Sequence, residues 1–414
     1  MIIQKKFNII LVVFLLMFSL AGIFNNSYAQ GSEDLKQKNS SEPLEASIKL
    51  SQSQMLDMFL IEVSLRKNLS LQKLREAFVD VTPQLTAKQY ITPPVGSRAK
   101  KNWLKYRQNA LDPIRIEAGQ KFWLANQEEL IRIENTTGVP AALIVGILGI
   151  ETNYGKNMGR FPVRDVLVTL AFDYPDTPNR IARSQMFNEQ LSDLITFCSP
   201  TGLIDNPIQF KTCLTQPSSF AGAIGMPQFM PTSLLKFAKD GDKDGLIDLR
   251  NSASDAMASI ANFLLQHGWM VNQPILIPVK TGTETLDTIR RIADGDPNPK
   301  WTLSQLKTMK IIDKIPSSNQ AEDLALIVDL PIIDTKGIES VTYWVGLKNF
   351  EVITQYNRSF FYAMAVTEFG YTVASNLNPE QKNPVNRETL NSVKQEKPQS
   401  TNNDHPGHKR QKRQ

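Results

Sequence analysis

Residues 140–159 read PAALIVGILGIETNYGKNMG and decide the fold more than any other stretch of the chain. Pro140 suits the first turn of a helix, where its missing N–H is no loss. The residues from Ala141 to Ile150 carry no charged or polar side chain. A helix that is apolar on every side is buried in a core, and this one is too short to span a bilayer, which takes roughly 20 residues. The stretch therefore predicts a buried helix that ends at one carboxylate, Glu151.

Glu151 stands ahead of two glycines, Gly155 and Gly159, which suit a helix stop and a tight loop. Apolar surroundings and the negative end of a helix dipole both raise the pKa of a carboxyl group. A general acid that works near neutral pH needs such a raised pKa. The alternative is an ordinary glutamate that reaches solvent or pairs with Lys156 or Arg160.

The 414-residue chain is long enough for two or three domains with an ample core. Its formal net charge of +5 comes from the two ends, because Lys5 and Lys6 lie near the start and the residues after Tyr371 are rich in Lys and Arg. The body between them is close to neutral, which argues against a nucleic-acid-binding surface.

The N-terminus has the pattern of a secretory signal peptide over residues 1–29. Lys5 and Lys6 precede the apolar run Ile9–Ile23, and Ser27–Ala29 offers a small-x-small cleavage site. An uncleaved anchor helix is the alternative, and no cysteine stands nearby to carry a lipid anchor. We therefore expect an exported protein that is soluble or is anchored by its uncleaved signal.

Composition divides the rest of the chain into a linker, a helical region, an insertion with strands and a tail. Apolar residues at helical spacing dominate up to residue 272, whereas Pro and β-branched residues become more frequent afterwards and favour strands. The predicted segments are a linker at 30–44, a helical region at 45–272, a small β-containing module at 273–340, a return to the helical region at 341–375 and a disordered basic tail at 376–414.

The chain has two cysteines, Cys198 and Cys213. An even number permits a disulfide in an exported protein, and closing this short loop would stabilise the fold by about 3 kcal/mol. Two free buried thiols are the alternative.

Two further stretches have the composition of a sugar-binding cleft. Residues 219–232, SFAGAIGMPQFMPT, are rich in small residues that let a backbone approach a ligand, and Ser219 and Gln228 are the natural hydrogen-bonding groups. Tyr356, Asn357 and Tyr362 combine flat apolar faces with polar tips, which suits pyranose rings. The alternatives are a Gly/Pro loop without a ligand and ordinary core aromatics.

Residues 240–255, DGDKDGLIDLRNSASD, match the first half of an EF-hand calcium loop. The twelfth position is Asn251 rather than Glu, so the usual bidentate ligand is missing and Asp255 is the better closing carboxylate. The predicted ligands of a structural Ca²⁺ are Asp240, Asp242, Asp244, the carbonyl of Leu246 and Asp255. A solvated acidic turn is the alternative, sodium could substitute for calcium, and no organic cofactor is expected.

The chain resembles the membrane-bound lytic murein transglycosylase B family of bacterial peptidoglycan-cleaving enzymes from about residue 46 to 370. The matching strings, in the family's order, are GILGIETNYGKNMG, SFAGAIGMPQFMPTS, DGDKDGLIDL, IANFLLQHGW and YNRSFFYAMAV. The resemblance implies a mainly α (α+β) fold, with a goose-lysozyme-like helical core, an additional helical subdomain, a small β-containing insertion and an EF-hand-like loop.

The resemblance also assigns roles to single residues. It makes Glu151 the one catalytic acid and base. The residues that match the family's substrate cleft are Tyr106, Arg183, Ser219, Gln228, Tyr356, Asn357 and Tyr362. Departures from the family pattern include Phe263 in place of a cleft Tyr and the absence of the lipid-bearing Cys. The implied location is the periplasm or envelope of a Gram-negative bacterium. The implied ligand is the peptidoglycan glycan strand, and no nucleic acid is expected. The chain is expected to be a monomer that contacts other cell-wall enzymes.

The implied reaction cleaves the β-1,4 bond between MurNAc and GlcNAc and leaves 1,6-anhydroMurNAc ends. Hydrolytic glycosidases generally use two carboxylates, whereas a lytic transglycosylase needs no base to activate water. The rival functions are a hydrolytic muramidase, for which Asp165 and Asp173 are the nearest second carboxylates in sequence, and a catalytically silent peptidoglycan-binding protein.

Overall fold

The computed structural model describes residues 50–92, 100–200, 204–280, 282–380 and 383–385. The predicted signal peptide (1–29) and linker (30–44) lie outside the described residues, as does most of the predicted tail (386–414). Within the described residues the chain forms sixteen helices and six short or medium strands.

Twelve helices precede the module with strands, and four lie within or after it. The first twelve are α1 Gln52–Lys67, α2 Leu71–Phe78, α3 Leu85–Ile91, α4 Trp103–Ala110, α5 Pro113–Ala125, α6 Gln127–Thr137, α7 Ala141–Thr152, α8 Val163–Phe172, α9 Arg180–Phe197, α10 Pro207–Leu214, α11 Pro231–Phe237 and α12 Ala253–Gln266. The others are α13 Thr283–Ile292, α14 Leu303–Thr308, α15 Lys348–Tyr356 and α16 Phe360–Leu377. The strands are β1 Phe161–Pro162, β2 Pro217–Ser218, β3 Leu276–Pro278, β4 Trp301–Thr302, β5 Leu324–Ile333 and β6 Glu339–Gly346.

Helix α7 is the buried helix that the sequence predicts. Every residue from Ala141 to Gly149 is buried, and the backbone turns left-handed at Asn153, whose N–H donates to the carbonyl of Gly149. Its closest neighbour is α16, which is likewise buried along most of its length. The central core of the protein is therefore built around this pair of helices.

Helices α5 and α6 follow each other with only Asn126 between them. Asn126 leaves the helical conformation, and its side-chain Nδ2 donates to the carbonyl of Phe122 at 2.8 Å. Asn competes with the backbone for hydrogen bonds in this way, which favours helix ends over helix interiors. The chain accordingly starts again as α6 directly after Asn126.

The module forms one antiparallel sheet in the order β3-β6-β5-β4. Side chains of a strand alternate between the two faces of its sheet. Leu326 and Val328 of β5 pack into the main core, whereas Ala325 and Ile327 join a second core with helices α13 and α14. The sheet therefore connects the helical core to a small core of its own.

Two segment boundaries differ from those expected. Strand β6 continues past residue 340 to Gly346, because it pairs with both β3 and β5 up to that residue. At the other end of the chain, α16 runs to Leu377, Asn383 Nδ2 donates to the carbonyl of Glu368, and Val385 is buried. The start of the predicted disordered tail at 376 is therefore too early.

Among the described residues, no single helix is both long enough and apolar enough to cross a membrane. Helices α6 and α7 reach that length and composition only when taken together, and they meet at a bend of 118°.

Candidate active site

Glu151 lies in the last turn of α7 and is only partly exposed. The hydroxyl of Tyr362, on α16, donates a hydrogen bond to its Oε1 at 2.7 Å. Burial raises the pKa of Glu151 from 4.5 to about 7, although the bond from Tyr362 acts in the opposite direction. The carboxyl group is thus both protonated and ionised to a comparable extent near neutral pH, as an acid–base catalyst requires.

Two glycines bring Glu151 and Tyr362 together, because they let α7 and α16 approach closely. A Cβ atom on Gly146 would lie 2.4 Å from the carbonyl oxygen of Val366. A Cβ on Gly370 would lie 1.9 Å from the carbonyl oxygen of Ala142. Only glycine fits at these two positions without moving the helices apart.

Two more tyrosines surround the carboxyl group. The ring of Tyr356 stacks on that of Tyr362 with centroids 6.2 Å apart, and its hydroxyl donates to the carbonyl of Pro227. Burial, and then the negative charge of Glu151, raise the pKa of Tyr356 and that of Tyr362 well above the usual value. The same two causes raise the pKa of Tyr106, whose side chain is 37% exposed. All three hydroxyls therefore remain protonated donors beside Glu151.

The loop 219–232 is fastened to the chain that follows Glu151. Thr152 Oγ1 donates to the carbonyl of Met226 at 2.9 Å. Gln228 has a left-handed backbone (φ 53°), and its Nε2 donates to the carbonyl of Gly225 at 2.9 Å. With the amide nitrogen held in this way, the amide oxygen of Gln228 is the group left to meet a ligand.

Ser219 shapes the start of the same loop. Its Oγ accepts hydrogen bonds from the backbone N–H groups of Ala221 and Ala223, at 3.3 and 3.0 Å. Its own N–H donates to the carbonyl of Ala223 at 2.9 Å. Ser219 thus stabilises the tight bend, and its hydroxyl hydrogen is still available to a sugar.

Arg183 and Asn357 are not drawn into the cluster around Glu151. Arg183 is exposed in the first turns of α9, where its guanidinium lies 3.7 Å from the sulfur of Met186. Asn357 is exposed at the C-terminal end of α15. No hydrogen bond or ion pair between described residues joins either side chain to Glu151, so their place in the cleft stays a prediction.

The two aspartates that could have supplied a second carboxylate are used elsewhere. Asp165 is buried and accepts a hydrogen bond from Arg164 Nε at 2.8 Å. Asp173 forms an ion pair with Lys88 at 2.7 Å. Within the described residues, no carboxylate is bonded to Glu151 or to its tyrosines, which leaves Glu151 as the one acid of the cluster.

Tyr154 is a member of the site that the sequence did not single out. Its ring stacks on Phe122 with centroids 4.8 Å apart, and its hydroxyl donates to the carbonyl of Val145 at 3.2 Å. Tyr154 thus braces the outer side of α7 against α5. Its position three residues after Glu151 was the signal available in the sequence, whereas its left-handed backbone (φ 59°) is visible only in the structure.

Three of the predicted metal ligands converge. The carboxylate oxygens of Asp240, Asp242 and Asp244 lie within 4.8 Å of one another. Asp240 Oδ1 is buried and has no hydrogen-bond partner among the described residues, while its Oδ2 accepts from the N–H of Gly245 at 2.9 Å. A buried carboxylate oxygen without a partner is costly unless a cation neutralises it, so this loop fits a hard cation such as Ca²⁺.

Asp255 is hydrogen-bonded within the loop, and its role as a metal ligand stays a prediction. Its Oδ1 accepts from the N–H of Gly241 and its Oδ2 from the N–H of Asp248, both at 2.7 Å, and its side chain is buried. It does not join the converging carboxylates. Asp255 therefore braces the two ends of the loop, and the carbonyl of Leu246 as a ligand stays a prediction.

Cys198 and Cys213 are joined by a disulfide, with S–S 1.97 Å and Cα atoms 5.7 Å apart. The bond connects the C-terminal end of α9 to α10.

Comparison with known proteins identifies the family. Residues 51–371 match the model of the transglycosylase SLT domain family. The membrane-bound lytic murein transglycosylase B of Escherichia coli (strain K12) is 33% identical over 287 residues, which cover 69% of this chain and 70% of that protein.

Solved structures of related enzymes share the fold. The soluble lytic transglycosylase SltB1 from Pseudomonas aeruginosa is 31% identical, with a TM-score of 0.66 over 78% of this chain and 99% of that one. The Escherichia coli lytic transglycosylase Slt35 in complex with calcium is 28% identical, with a TM-score of 0.63 over 81% of this chain and 99% of that one. These matches confirm the predicted lysozyme-like, mainly α architecture. The chain belongs to the transglycosylase SLT domain family of lytic transglycosylases.

Proposed function

We propose that the protein cleaves the β-1,4 bond between MurNAc and GlcNAc in peptidoglycan and leaves 1,6-anhydroMurNAc ends, with Glu151 as its only acid and base. The observation that carries this proposal is one carboxyl group with a pKa of about 7, held by Tyr362 and accompanied by no second carboxylate among the described residues. Membership of the lytic transglycosylase family supports the same reaction.

In the first step Glu151 acts as the acid. Tyr362 donates its hydrogen bond to Oε1, so the proton of the neutral carboxyl group resides on Oε2. That proton passes to the glycosidic oxygen while the bond from this oxygen to C1 of MurNAc breaks and GlcNAc leaves. The acetamido group of MurNAc stabilises the positive charge that develops at C1.

In the second step the same residue acts as the base. The Glu151 carboxylate removes the proton of the C6 hydroxyl of MurNAc, and the C6 oxygen closes on C1 to form the anhydro ring. Because the nucleophile belongs to the substrate, its effective concentration is high and no water molecule needs activation. The first proton leaves on the new hydroxyl of GlcNAc, the C6 hydroxyl supplies a second one, and Glu151 is thereby protonated again for another cycle.

The other cleft residues orient the glycan strand. Tyr106 presents a partly exposed ring, and Gln228 and Ser219 present one polar atom each after their internal bonds are made. Tyr356 fixes the loop through its bond to Pro227 and supports Tyr362 by stacking. We assign substrate contacts to these residues, and to Arg183 and Asn357 at the exposed rim.

Replacement of Glu151 by Gln tests the assignment. Purified peptidoglycan sacculi are incubated with the wild type, with Glu151→Gln and with the matched control Glu189→Gln, whose side chain is exposed on α9. Mass spectrometry of the soluble products distinguishes an anhydro end from a hydrolysed end, since the anhydro product is lighter by one water.

We expect anhydro products from the wild type and the control, and a loss of at least about 10³-fold in rate for Glu151→Gln, because acid and base catalysis are both removed. Binding of the Gln variant to sacculi should persist. Hydrolysed ends would instead indicate a muramidase. Sacculi that remain intact with the wild type and both variants would indicate a catalytically silent binding protein. Bond cleavage by the Gln variant would contradict the role of Glu151.

We also propose that the loop of Asp240, Asp242 and Asp244 holds Ca²⁺ as a structural ion. The Slt35 structure with calcium supports this ion for a relative, and the unpartnered oxygen of Asp240 supports it for this chain. The ion would offset two of the three negative charges and hold the loop before α12, and the proposed reaction has no step that uses it.

We propose an envelope location, with the mature chain in the periplasm of a Gram-negative bacterium and acting as a monomer on the glycan strands. A relative that is membrane-bound supports the envelope. Fractionation of cells that produce the full chain, followed by N-terminal sequencing, tests both export and signal cleavage.

A further inference from the structure

Large aromatic side chains that face solvent are few in this protein. Within the described residues they are Tyr106, Tyr90 and Phe220. Tyr106 belongs to the site around Glu151. Tyr90 is 59% exposed and Phe220 39% exposed, and their rings meet edge to face with centroids 5.8 Å apart. Two adjoining aromatic rings on a surface form the kind of apolar patch that marks a binding site.

A third ring extends this patch. Phe161 contacts Tyr90 edge to face with centroids 6.4 Å apart, and the guanidinium carbon of Arg160 lies 5.9 Å from the centre of the Phe161 ring. Arg160 is exposed, so its charge faces solvent. We call Tyr90, Phe161 and Phe220 the aromatic platform, with Arg160 at its edge.

The platform is held in place by three separate parts of the chain. Phe161 is in β1, which pairs with β2 in the register Phe161 to Ser218, and Phe220 follows β2. Tyr90 comes from α3, which is anchored by the fully buried Ala87. Convergence of three segments on one exposed cluster shows that these rings are positioned and are not the loose end of one loop.

Two chain segments connect the platform to the site around Glu151. The chain that leaves Glu151 runs beside the loop that contains Ser219 and Gln228. The two segments touch first at Thr152 and Met226 and later at Gly159, where a Cβ would lie 2.1 Å from the carbonyl oxygen of Ser218. The same two segments therefore carry Glu151 and Gln228 near their first contact, and Phe161 and Phe220 near their second contact.

We propose that the aromatic platform is a sugar-binding subsite that receives pyranose rings of the glycan strand away from the bond being cleaved. The C–H faces of neighbouring pyranose rings would stack on Tyr90 and on Phe220, whose own rings are nearly perpendicular to each other. Arg160 would pair with a carboxylate of the substituents on the same strand. This inference rests on the proposed function, because it names how that substrate is held at a distance.

Binding measurements on glycans of two lengths test the platform. The full chain carrying Glu151→Gln, which prevents turnover, is titrated with long peptide-free peptidoglycan glycan strands and with the GlcNAc-MurNAc disaccharide. The platform variants are Tyr90→Ala and Phe220→Ala, the conservative variants are Tyr90→Phe and Phe220→Tyr, and the matched control is Ile208→Ala, an exposed apolar residue on α10. Thermal unfolding of each variant verifies the fold.

We expect each Ala variant to weaken binding of long strands about threefold to tenfold, the size of one lost aromatic contact. The ratio of long-strand affinity to disaccharide affinity should fall by the same factor, whereas the aromatic replacements and Ile208→Ala should preserve it. An unchanged ratio in both Ala variants would overturn the platform, and so would an equal loss in Ile208→Ala.

The activity of the enzyme with Glu151 intact separates the two proposals. The platform alone would be refuted if the wild-type chain yields anhydro products while the Tyr90→Ala and Phe220→Ala forms of the Glu151→Gln chain keep full affinity for long strands. Wild-type chain that yields no anhydro product would refute the proposed reaction, and the length-dependent binding would still decide the platform.

Discussion

The raised pKa of Glu151 makes a prediction about stability that is independent of catalysis. The pKa is 4.5 in an unfolded chain and about 7 in the folded protein. The folded state thus retains a proton that the unfolded state releases between these pH values. The stability that Glu151 contributes is fully present below pH 4.5, decreases as pH rises towards about 7 and stays low above it.

The magnitude follows from the size of the rise in pKa. Each pKa unit is equivalent to about 1.4 kcal/mol, so the rise corresponds to about 3 kcal/mol in all. Gln has a similar shape and is neutral at every pH. The difference in free energy of unfolding, wild type minus Glu151→Gln, should therefore become more negative by about 3 kcal/mol between pH 4.5 and pH 8.

Urea denaturation at a series of pH values measures this difference, because all other titrating groups are common to both proteins. The matched control is Glu189→Gln, which makes the same chemical change at an exposed position on α9. A constant difference for Glu151→Gln would refute the buried-acid reasoning. A difference that grows more positive with pH would indicate that Glu151 is stabilised as a carboxylate.

Three other predictions follow from single contacts. Tyr362→Phe removes the hydrogen bond that favours the ionised form of Glu151. The pH at which kcat/KM falls on the alkaline side should therefore rise by about one pH unit. A pH–rate profile in which this pH is unchanged would contradict the role of the bond. Gly370→Ala places a methyl group against the carbonyl of Ala142. Chemical denaturation should show that the free energy of unfolding falls by about 3 kcal/mol, because overpacking outweighs the roughly 1 kcal/mol by which Ala favours a helix. A variant as stable as the wild type, or more stable, would show that the two helices can separate freely. Calcium should raise the melting temperature of the wild type, and the Asp240→Asn variant should lose most of that increase. Calorimetry of each protein with calcium and with a chelator measures the increase. An equal increase in the wild type and the variant would exclude the loop as the calcium site.

The buried helix was predictable because its signal is local. An uninterrupted apolar run that ends in one carboxylate has few structural solutions, and α7 ends at Glu151 as expected. The loop between α8 and α9, at residues 173–179, was predictable for the same reason, since its Pro and Asp residues break a helix within a few positions. The family match to residues 51–371 confirms the resemblance that these motifs carried.

What the sequence could not provide depends on contacts between distant residues. Tyr362 and Glu151 are 211 residues apart, and no spacing rule predicts which tyrosine of the segment 356–362 reaches the acid. The residue type of Asp255 suggests a metal ligand, but only the folded loop shows that its two oxygens accept hydrogen bonds from the N–H groups of Gly241 and Asp248. The aromatic platform was missed because Tyr90 and Phe220 come from separate segments.

The arrangement around Glu151 explains how one residue can serve two opposite steps. Burial alone would raise the pKa further and give an acid that rarely becomes a carboxylate, which would hinder removal of the C6 proton. A fully solvated glutamate would have the opposite fault, because it would seldom carry the proton that the leaving oxygen needs. The hydrogen bond from Tyr362 offsets part of the effect of burial and leaves the pKa at about 7. The close crossing of α7 and α16 at Gly146 and Gly370 brings the two groups within bonding distance, so these glycines contribute to the acidity on which both proposed steps depend.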